Sequence, residues 1–276
     1  MLPLAANPRA GVRLRSPQPT PYETKEDLTV TIDLAVIGGS GLYSFPGLEN
    51  TTRHGVDTPY GKTSADVVIG DFAGKRVAFL ARHGESHGVP PHRVNYRANL
   101  WALHSLGART VIGVNAVGGI RDDMGPRAIV VPDQVIDYTH GRYTSFCDVE
   151  GAEVKHIDFS EPYTGALRRR LVDAAGQAGI AVIDGGCYGA TQGPRLETRA
   201  EIARMKRDGC DLVGMTGMPE AALARELELA YACLALVANF AAGCGDEAEI
   251  SIDEIFAHLK AATAEVPRIL EALLKA

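Results

Sequence analysis

Short apolar runs alternate with segments of helical periodicity along most of this chain. The β-branched run at 28–37 ends in the glycine-rich stretch 38–41, which predicts a first strand that enters a tight turn. Residues 95–106 keep their apolar side chains on one face and stop at Gly107, which predicts a helix. The same reasoning predicts strands at 66–69, 76–80, 110–114, 180–183, 186–190, 212–215 and 231–238, and helices at 161–177, 198–208, 220–227 and from 253 onward, with a break at Pro267.

This alternation predicts an α/β fold, a single three-layer domain over residues 31–276 with a mixed, mostly parallel central sheet flanked by helices. Ligands of such sheets bind outside the carboxyl ends of the strands. Residues 1–30 hold five prolines and three arginines and no apolar run typical of a signal peptide. We expect them to form a disordered N-terminal extension.

Composition excludes several classes of function. The chain of 276 residues is 46% hydrophobic and 22% charged, and it contains no apolar run long enough to cross a membrane. Its formal charge of -6 gives no basic face for nucleic acid. The five cysteines are odd in number and form no C-x-x-C pair, so we expect reduced thiols and a cytoplasmic protein.

Several predicted strands end in segments that combine small residues with hydrogen-bond donors. These segments are Gly38-Gly39-Ser40-Gly41, Arg82-His83, Asn115-Ala116-Val117-Gly118-Gly119 and Met215-Thr216-Gly217. Ser40 in a glycine turn and Thr216 before a helix suit an anion, and Arg82 offers a fork that matches phosphate. Each segment taken alone is also compatible with an ordinary surface turn. Together they predict one phosphate site built from distant parts of the chain.

A dinucleotide site, a metal site and the zinc site of a deaminase are each less compatible with these motifs. A dinucleotide fingerprint would need a small third glycine or alanine where Ser44 stands. A metal site from His83, His87 and His92 is disfavoured because intervening glycines and prolines keep the three histidines off one helix face. A zinc deaminase would need a P-C-x-x-C motif, which the sequence lacks.

The motifs together resemble the trimeric purine nucleoside phosphorylase and methylthioadenosine phosphorylase family. The similar segments are Ile37-Gly38-Gly39-Ser40-Gly41-Leu42, Ala81-Arg82-His83-Gly84, Val94-Asn95-Tyr96-Arg97-Ala98-Asn99, Gly193-Pro194-Arg195 with Arg199-Ala200-Glu201, and Met215-Thr216 with Pro219-Glu220. The resemblance implies phosphorolysis of a purine nucleoside, with inorganic phosphate as co-substrate and no metal or organic cofactor. It also implies a homotrimer, with a hexamer as the alternative, in which residues 138–156 help to close a neighbouring site.

The resemblance also implies a role for individual residues. Phosphate would bind to Ser40, Arg82, His83, Asn115, Ala116 and Thr216, and the nucleoside to Met215, Asn239, Phe240 and Ala241. Asn115 departs from the threonine often found in the family at its position, so its backbone is the firmer part of this expectation.

The identity of the base depends on Asn239 and Glu197. The Asn239 amide can accept from a protonated N7 and donate to O6 of a 6-oxopurine, whereas family members that prefer adenine carry aspartate there and again two positions later, at Ala241. Glu197 can accept from N1–H of a 6-oxopurine, but it would face a lone pair on adenine. Glu197 is also explained by an ordinary acidic residue in the first turn of a helix.

The 5′ end of the nucleoside depends on Ile252 and Phe256. Ile252 stands where family members that use ordinary nucleosides place a histidine, and an apolar pair favours a methylthio group over a hydroxyl. The expected substrate is therefore 5′-methylthioinosine. Inosine, guanosine and methylthioadenosine remain as alternatives, and Ile252 is also explained as a core residue on its helix.

Overall fold

The computed structural model describes residues 31–149, 151–245 and 252–276, with Ile252 described by its backbone alone. The predicted extension at 1–30 and the side chain of Ile252 therefore lie outside the described residues. The strands are Leu34–Gly38 (β1), Glu49–His54 (β2), Val67–Phe72 (β3), Lys75–Ala81 (β4), Thr110–Gly119 (β5), Ile129–Val131 (β6), Gln134–Asp137 (β7), Ile183–Asp184 (β8), Cys187–Ala190 (β9), Leu212–Gly214 (β10) and Ala230–Phe240 (β11). The helices are Tyr96–Ser105 (α1), Gly165–Gln177 (α2), Arg199–Asp208 (α3), Gly217–Glu226 (α4), Ile252–Thr263 (α5) and Val266–Lys275 (α6).

Within these ranges the strands form one mixed sheet, ordered β2-β3-β4-β1-β5-β10-β9-β7, with β11 paired to β5 and to β6. The pairs of β1 with β4, β1 with β5, β5 with β11, and β9 with both β7 and β10 are parallel. The predicted hairpin of β3 and β4 is antiparallel. The predicted mixed, mostly parallel sheet is confirmed.

Helices cover both faces of the sheet because successive strand residues alternate between two cores. In β1, Ala35 and Ile37 pack with α1 and α4 on one face, while Leu34 and Val36 pack with α2, α5 and α6 on the other. A smaller cluster beneath α3 includes Ile202 and Val213. This arrangement is the predicted three-layer domain. No helix of the described ranges is long and apolar enough to span a bilayer.

Local capping sets several helix boundaries. Asn95 accepts a hydrogen bond from the Ala98 N–H at the start of α1, and Thr198 forms a capping box with Glu201 at the start of α3. Gly209 ends α3 in the left-handed conformation, with φ of 95°. Pro267 lies in the first turn of α6, where its missing N–H costs no helical hydrogen bond, so the predicted break is confirmed.

The prediction that β5 ends near residue 114 is wrong. β11 pairs with β5 as far as Gly119, so Asn115 and Ala116 lie within the strand and not after it. The structure also contains β2, β6 and β7, which were not predicted. β2 is an exposed polar strand that, among the described residues, pairs only with β3, so it has no alternating apolar pattern to mark it in the sequence.

Candidate active site

A cavity of about 530 Å³ opens at the carboxyl ends of β1, β4, β5, β10 and β11. Most of the residues expected at the site line this cavity: Ser40, His83, Ala116, Glu197, Met215, Thr216, Asn239, Ala241 and Phe256. Three others, Arg82, Asn115 and Phe240, are not among the lining residues. Most of the expected residues therefore meet at one cavity, and Arg82, Asn115 and Phe240 make other contacts.

Arg82 lies behind the glycine turn and is fully buried. Its Nε and Nη2 donate to the two carboxylate oxygens of Glu220 at 2.7 Å each, and its Nη1 donates to the Val114 carbonyl at 2.8 Å. A Cβ at Gly39 would lie 2.6 Å from the Val114 carbonyl oxygen and 3.0 Å from Nη1, so the turn needs a glycine at this position. We expected this fork to hold phosphate, but in the structure it holds Glu220.

Arg82 and Glu220 form a fully buried ion pair without net charge. Burial lowers the pKa of Arg82, but the adjacent Glu220 carboxylate outweighs this effect and raises it above the ordinary value. Glu220 also accepts from the Tyr231 hydroxyl at 2.8 Å. Three of the five N–H groups of the guanidinium are engaged by Glu220 and Val114, which leaves one on each Nη to serve a ligand.

His83 is a buried, neutral wall residue. Its Nδ1 lies 2.8 Å from the Val89 carbonyl, which can only accept, so the ring proton is on Nδ1 and Nε2 carries a lone pair. Burial, and then the nearby charge of Arg82, lower the pKa of His83 to about 4. At neutral pH the cavity wall therefore presents an acceptor at this nitrogen.

Asn115 and Thr216 form a buried chain that aims the threonine hydroxyl. The Asn115 Nδ2 donates to Thr216 Oγ1 at 2.7 Å, while Cys233 Sγ lies 3.4 Å from Asn115 Oδ1. Because Thr216 Oγ1 already accepts from the amide, its own O–H can donate, either to a ligand or to the adjacent Tyr188 oxygen. Thr216 is the N-cap residue of α4, yet its side chain makes no capping bond. Asn115 therefore positions Thr216 and does not itself line the cavity.

Asn239 lies near the end of β11, just beyond a register shift between Val237 and Asn239. Its Nδ2 donates to the Phe240 carbonyl at 2.6 Å, which orients the planar amide and places Oδ1 on its opposite branch. The Phe240 ring packs towards Gly125 and Gly245 instead of the cavity. Asn239 and Ala241 line the cavity together with their neighbours Ala238 and Ala242, whereas Phe240 does not.

Glu197 lies on the loop between β9 and α3, and its carboxylate is held by Thr191. Thr191 Oγ1 donates to Glu197 Oε1 at 2.6 Å. Thr191 was not predicted, because its position at the end of a strand carries no motif. Its signal in the sequence is weak, a single polar residue that follows the small residues of β9.

The end of the cavity next to α5 is mostly apolar. Ile255, Phe256 and Leu259 line it from that helix, and Met215 lines it from the end of β10. Phe256 is 52% exposed, so its ring borders the opening. The Ile252 side chain, which we expected here, lies outside the described residues.

His83 and His87 approach each other, with ring centroids 5.1 Å apart, but each uses its Nδ1 elsewhere. The Nδ1 of His87 lies 2.9 Å from the Tyr43 hydroxyl. Among the described residues, no group of three or more His, Cys, Asp or Glu side chains could hold a metal ion.

Comparison with known proteins agrees with this geometry. The model of the phosphorylase superfamily matches residues 33–275. The chain is 57% identical over 245 residues to a probable S-methyl-5′-thioinosine phosphorylase of Xanthomonas campestris, covering 89% of this chain and 98% of that protein. It is 48% identical over 215 residues to a probable 6-oxopurine nucleoside phosphorylase of Thermococcus kodakarensis, covering 76% and 80%.

Solved structures show the same fold. A methylthioadenosine phosphorylase from an antarctic soil metagenomic library superposes with a TM-score of 0.83 at 37% identity. The match covers 89% of this chain and 86% of that structure.

Proposed function

Because the chain belongs to the phosphorylase superfamily, we propose that it catalyses the reversible phosphorolysis of a 6-oxopurine nucleoside. The preferred reaction is S-methyl-5′-thioinosine plus phosphate to hypoxanthine plus 5-methylthioribose 1-phosphate. The observation that carries this proposal is a single cavity with three kinds of lining. It combines hydrogen-bond donors suited to phosphate, the Asn239 amide with the Glu197 carboxylate, and an apolar wall.

Phosphate binds at the end formed by Ser40, His83, Ala116 and Thr216. The Ser40 and Thr216 hydroxyls donate to phosphate oxygens, and the Ala116 backbone borders the same space. The neutral Nε2 of His83 accepts a hydrogen bond from the P–OH group that hydrogen phosphate still carries at neutral pH. The charge of Arg82 is already balanced by Glu220, so its contribution to phosphate binding comes from the two N–H groups that Glu220 and Val114 do not use.

A phosphate oxygen attacks C1′ while the bond from C1′ to N9 breaks. The electron pair of the broken bond moves onto the purine. Positive charge develops on the ribose, which the phosphate stabilises, and negative charge develops on the departing base. The departing purine anion takes up a proton at N7 from solvent, which balances the proton that hydrogen phosphate releases when it becomes the phosphate ester. Asn239 Oδ1 accepts from this N7–H, and the second N–H of Nδ2 donates to O6. Glu197 accepts from N1–H. The resulting contacts favour hypoxanthine and guanine over adenine.

The methylthio group occupies the apolar wall formed by Ile255, Phe256 and Leu259, with Met215 along the ribose. A 5′-hydroxyl placed there would lose its hydrogen bonds to water without replacing them, which costs free energy. This contrast favours S-methyl-5′-thioinosine over inosine. The proposal adds the Ile252 side chain, which lies outside the described residues, to this apolar wall.

The proposal extends to the assembly and its setting. The reaction requires phosphate as co-substrate and no metal or organic cofactor. The protein acts in purine salvage in the cytoplasm as a homotrimer, with residues 138–156 of one subunit closing the site of the next. Tyr143 and Val154 in this stretch are 64% and 71% exposed, which supports a contact surface at that position.

The direct test compares phosphate-dependent cleavage of S-methyl-5′-thioinosine, methylthioadenosine, inosine and guanosine by the purified protein. We expect the highest kcat/KM for S-methyl-5′-thioinosine and no base release without phosphate. A preference for methylthioadenosine would contradict the roles of Asn239 and Glu197, and a preference for inosine would contradict the apolar 5′ end.

A further inference from the structure

Thr191 joins the Glu197 loop to the rigid sheet. Its backbone N–H donates to the Gly214 carbonyl at 2.8 Å and so extends the pairing of β9 with β10. The residue is 7% exposed. Its hydroxyl lies 2.6 Å from Glu197 Oε1 and 3.3 Å from the Gly214 carbonyl oxygen, so the proton is directed mainly to the carboxylate.

Thr191 is the one side chain found to anchor Glu197 in the described part of the chain. Pro194, Arg195 and Leu196, which precede it, are exposed. Arg195 is the nearest cation in sequence, but it donates to both oxygens of Glu201 at 2.7 and 2.8 Å. Within the described part of the chain, the Thr191 hydroxyl makes the one hydrogen bond found to the Glu197 carboxylate.

We propose that Thr191 is a positioning residue that sets the preference for 6-oxopurines by holding the Glu197 carboxylate in place. This inference rests on the proposed function, in which Glu197 faces N1 of the base. With Oε1 held by Thr191, Oε2 is the oxygen that accepts from N1–H. Adenine presents a lone pair at N1, and an anchored carboxylate cannot rotate away from it.

The test substitutes Thr191→Val, which keeps the shape and removes the hydroxyl. We expect kcat/KM for S-methyl-5′-thioinosine to fall by about tenfold or more, because a hydrogen bond to a charged group is lost. For methylthioadenosine it should stay level or rise, because the freed carboxylate can move aside. The ratio of the two values does not depend on how much of the preparation is folded. Thr191→Ser should restore it.

If Thr191 has a purely structural role, Thr191→Val should lower kcat/KM for both substrates equally and leave their ratio unchanged. That result would overturn the proposal. Thr263→Val is the control, because the Thr263 hydroxyl is also buried, has no hydrogen-bond partner among the described residues and has no role in the proposed site. This control should keep the parent ratio. Should Thr191→Val be too unstable to assay, Thr191→Ala gives the same comparison.

A double-mutant cycle with Glu197→Ala separates this inference from the proposed function. If Thr191 acts through Glu197, Thr191→Val should not change the substrate ratio further in the Glu197→Ala background. A parent-like ratio in Glu197→Ala itself would mean that Glu197 does not face the base, and the base assignment would fail. A collapsed ratio in Glu197→Ala together with a preserved ratio in Thr191→Val would overturn the role of Thr191 alone.

Discussion

Replacing Asn239 with aspartate tests which purine edge the cavity accepts. In the structure the Asn239 Nδ2 donates to the Phe240 carbonyl at 2.6 Å. A carboxylate has no donor, so one of its oxygens would face the carbonyl oxygen at a repulsive distance. The introduced carboxylate must therefore rotate, and the substitution changes both the chemistry and the orientation of the group.

The two substrates should respond in opposite directions. With a 6-oxopurine the variant loses the donor to O6 and places a negative charge beside that oxygen. Loss of one charge-assisted hydrogen bond corresponds to about 1.5–3 kcal/mol, or roughly 10- to 150-fold in kcat/KM. With adenine the carboxylate gains the 6-amino group as a donor. Glu197 still faces adenine N1, so methylthioadenosine should improve without reaching the parent rate on S-methyl-5′-thioinosine.

The assay measures kcat/KM for S-methyl-5′-thioinosine and methylthioadenosine at saturating phosphate, for the parent, Asn239→Asp and Asn239→Ala. Asn239→Asp should shift the ratio towards methylthioadenosine by about two decades, the sum of a lost and a gained contact. Asn239→Ala removes both contacts and should lower kcat/KM for both substrates. If Asn239→Asp lowers kcat/KM equally for the two substrates, Asn239 does not face the base and the reasoning is refuted.

Three further predictions concern the phosphate end. Glu220→Gln should lower the free energy of unfolding by about 3–5 kcal/mol in urea titrations, because Arg82 would be left buried without its counter-charge; a loss below about 1 kcal/mol would contradict the buried pair. Thr216→Val should raise the KM for phosphate by about tenfold, whereas Thr263→Val, which removes a buried hydroxyl without a partner among the described residues, should not. The pKa of His83 is lowered to about 4, so without phosphate the unfolded chain takes up a proton at a higher pH than the folded protein does. The free energy of unfolding should therefore drop by up to about 3 kcal/mol as the pH falls from about 6.5 to 4. His83→Gln should flatten that drop.

Much of the fold was predictable because strands and helices alternate with different hydrophobic periods. The buried strands β1, β4 and β11 are apolar runs bounded by glycine or polar residues, and α1 and α3 carry recognisable caps. β2 escaped prediction because its residues are polar and its pairing depends on β3. The full length of β5 depends on its partner β11, which lies more than a hundred residues away in the chain.

The cavity lining was predictable for a related reason. Parallel strands bring their carboxyl ends to one edge of a sheet, so donors that follow different strands meet there. Ser40 and His83, which follow the parallel strands β1 and β4, therefore converge on the cavity although they are far apart in sequence. Thr216 reaches the cavity from the opposite direction, because β10 is antiparallel to β5 and ends beside Asn115. The sequence could not predict which donors would already be satisfied by the protein itself. That outcome depends on contacts between distant segments, such as the one that joins Arg82 to Glu220.

The base end shows how hydrogen bonds within the protein refine the role of a residue that faces a ligand. Asn239 and Glu197 each use one polar atom on the protein, on the Phe240 carbonyl and the Thr191 hydroxyl. A planar amide or carboxylate fixed through one branch can offer the other branch in only a narrow range of directions. The protein therefore presents its acceptors to the base in set positions before substrate arrives. Preset groups cost little reorganisation as charge develops on the departing purine, so these two internal bonds connect substrate choice with catalysis.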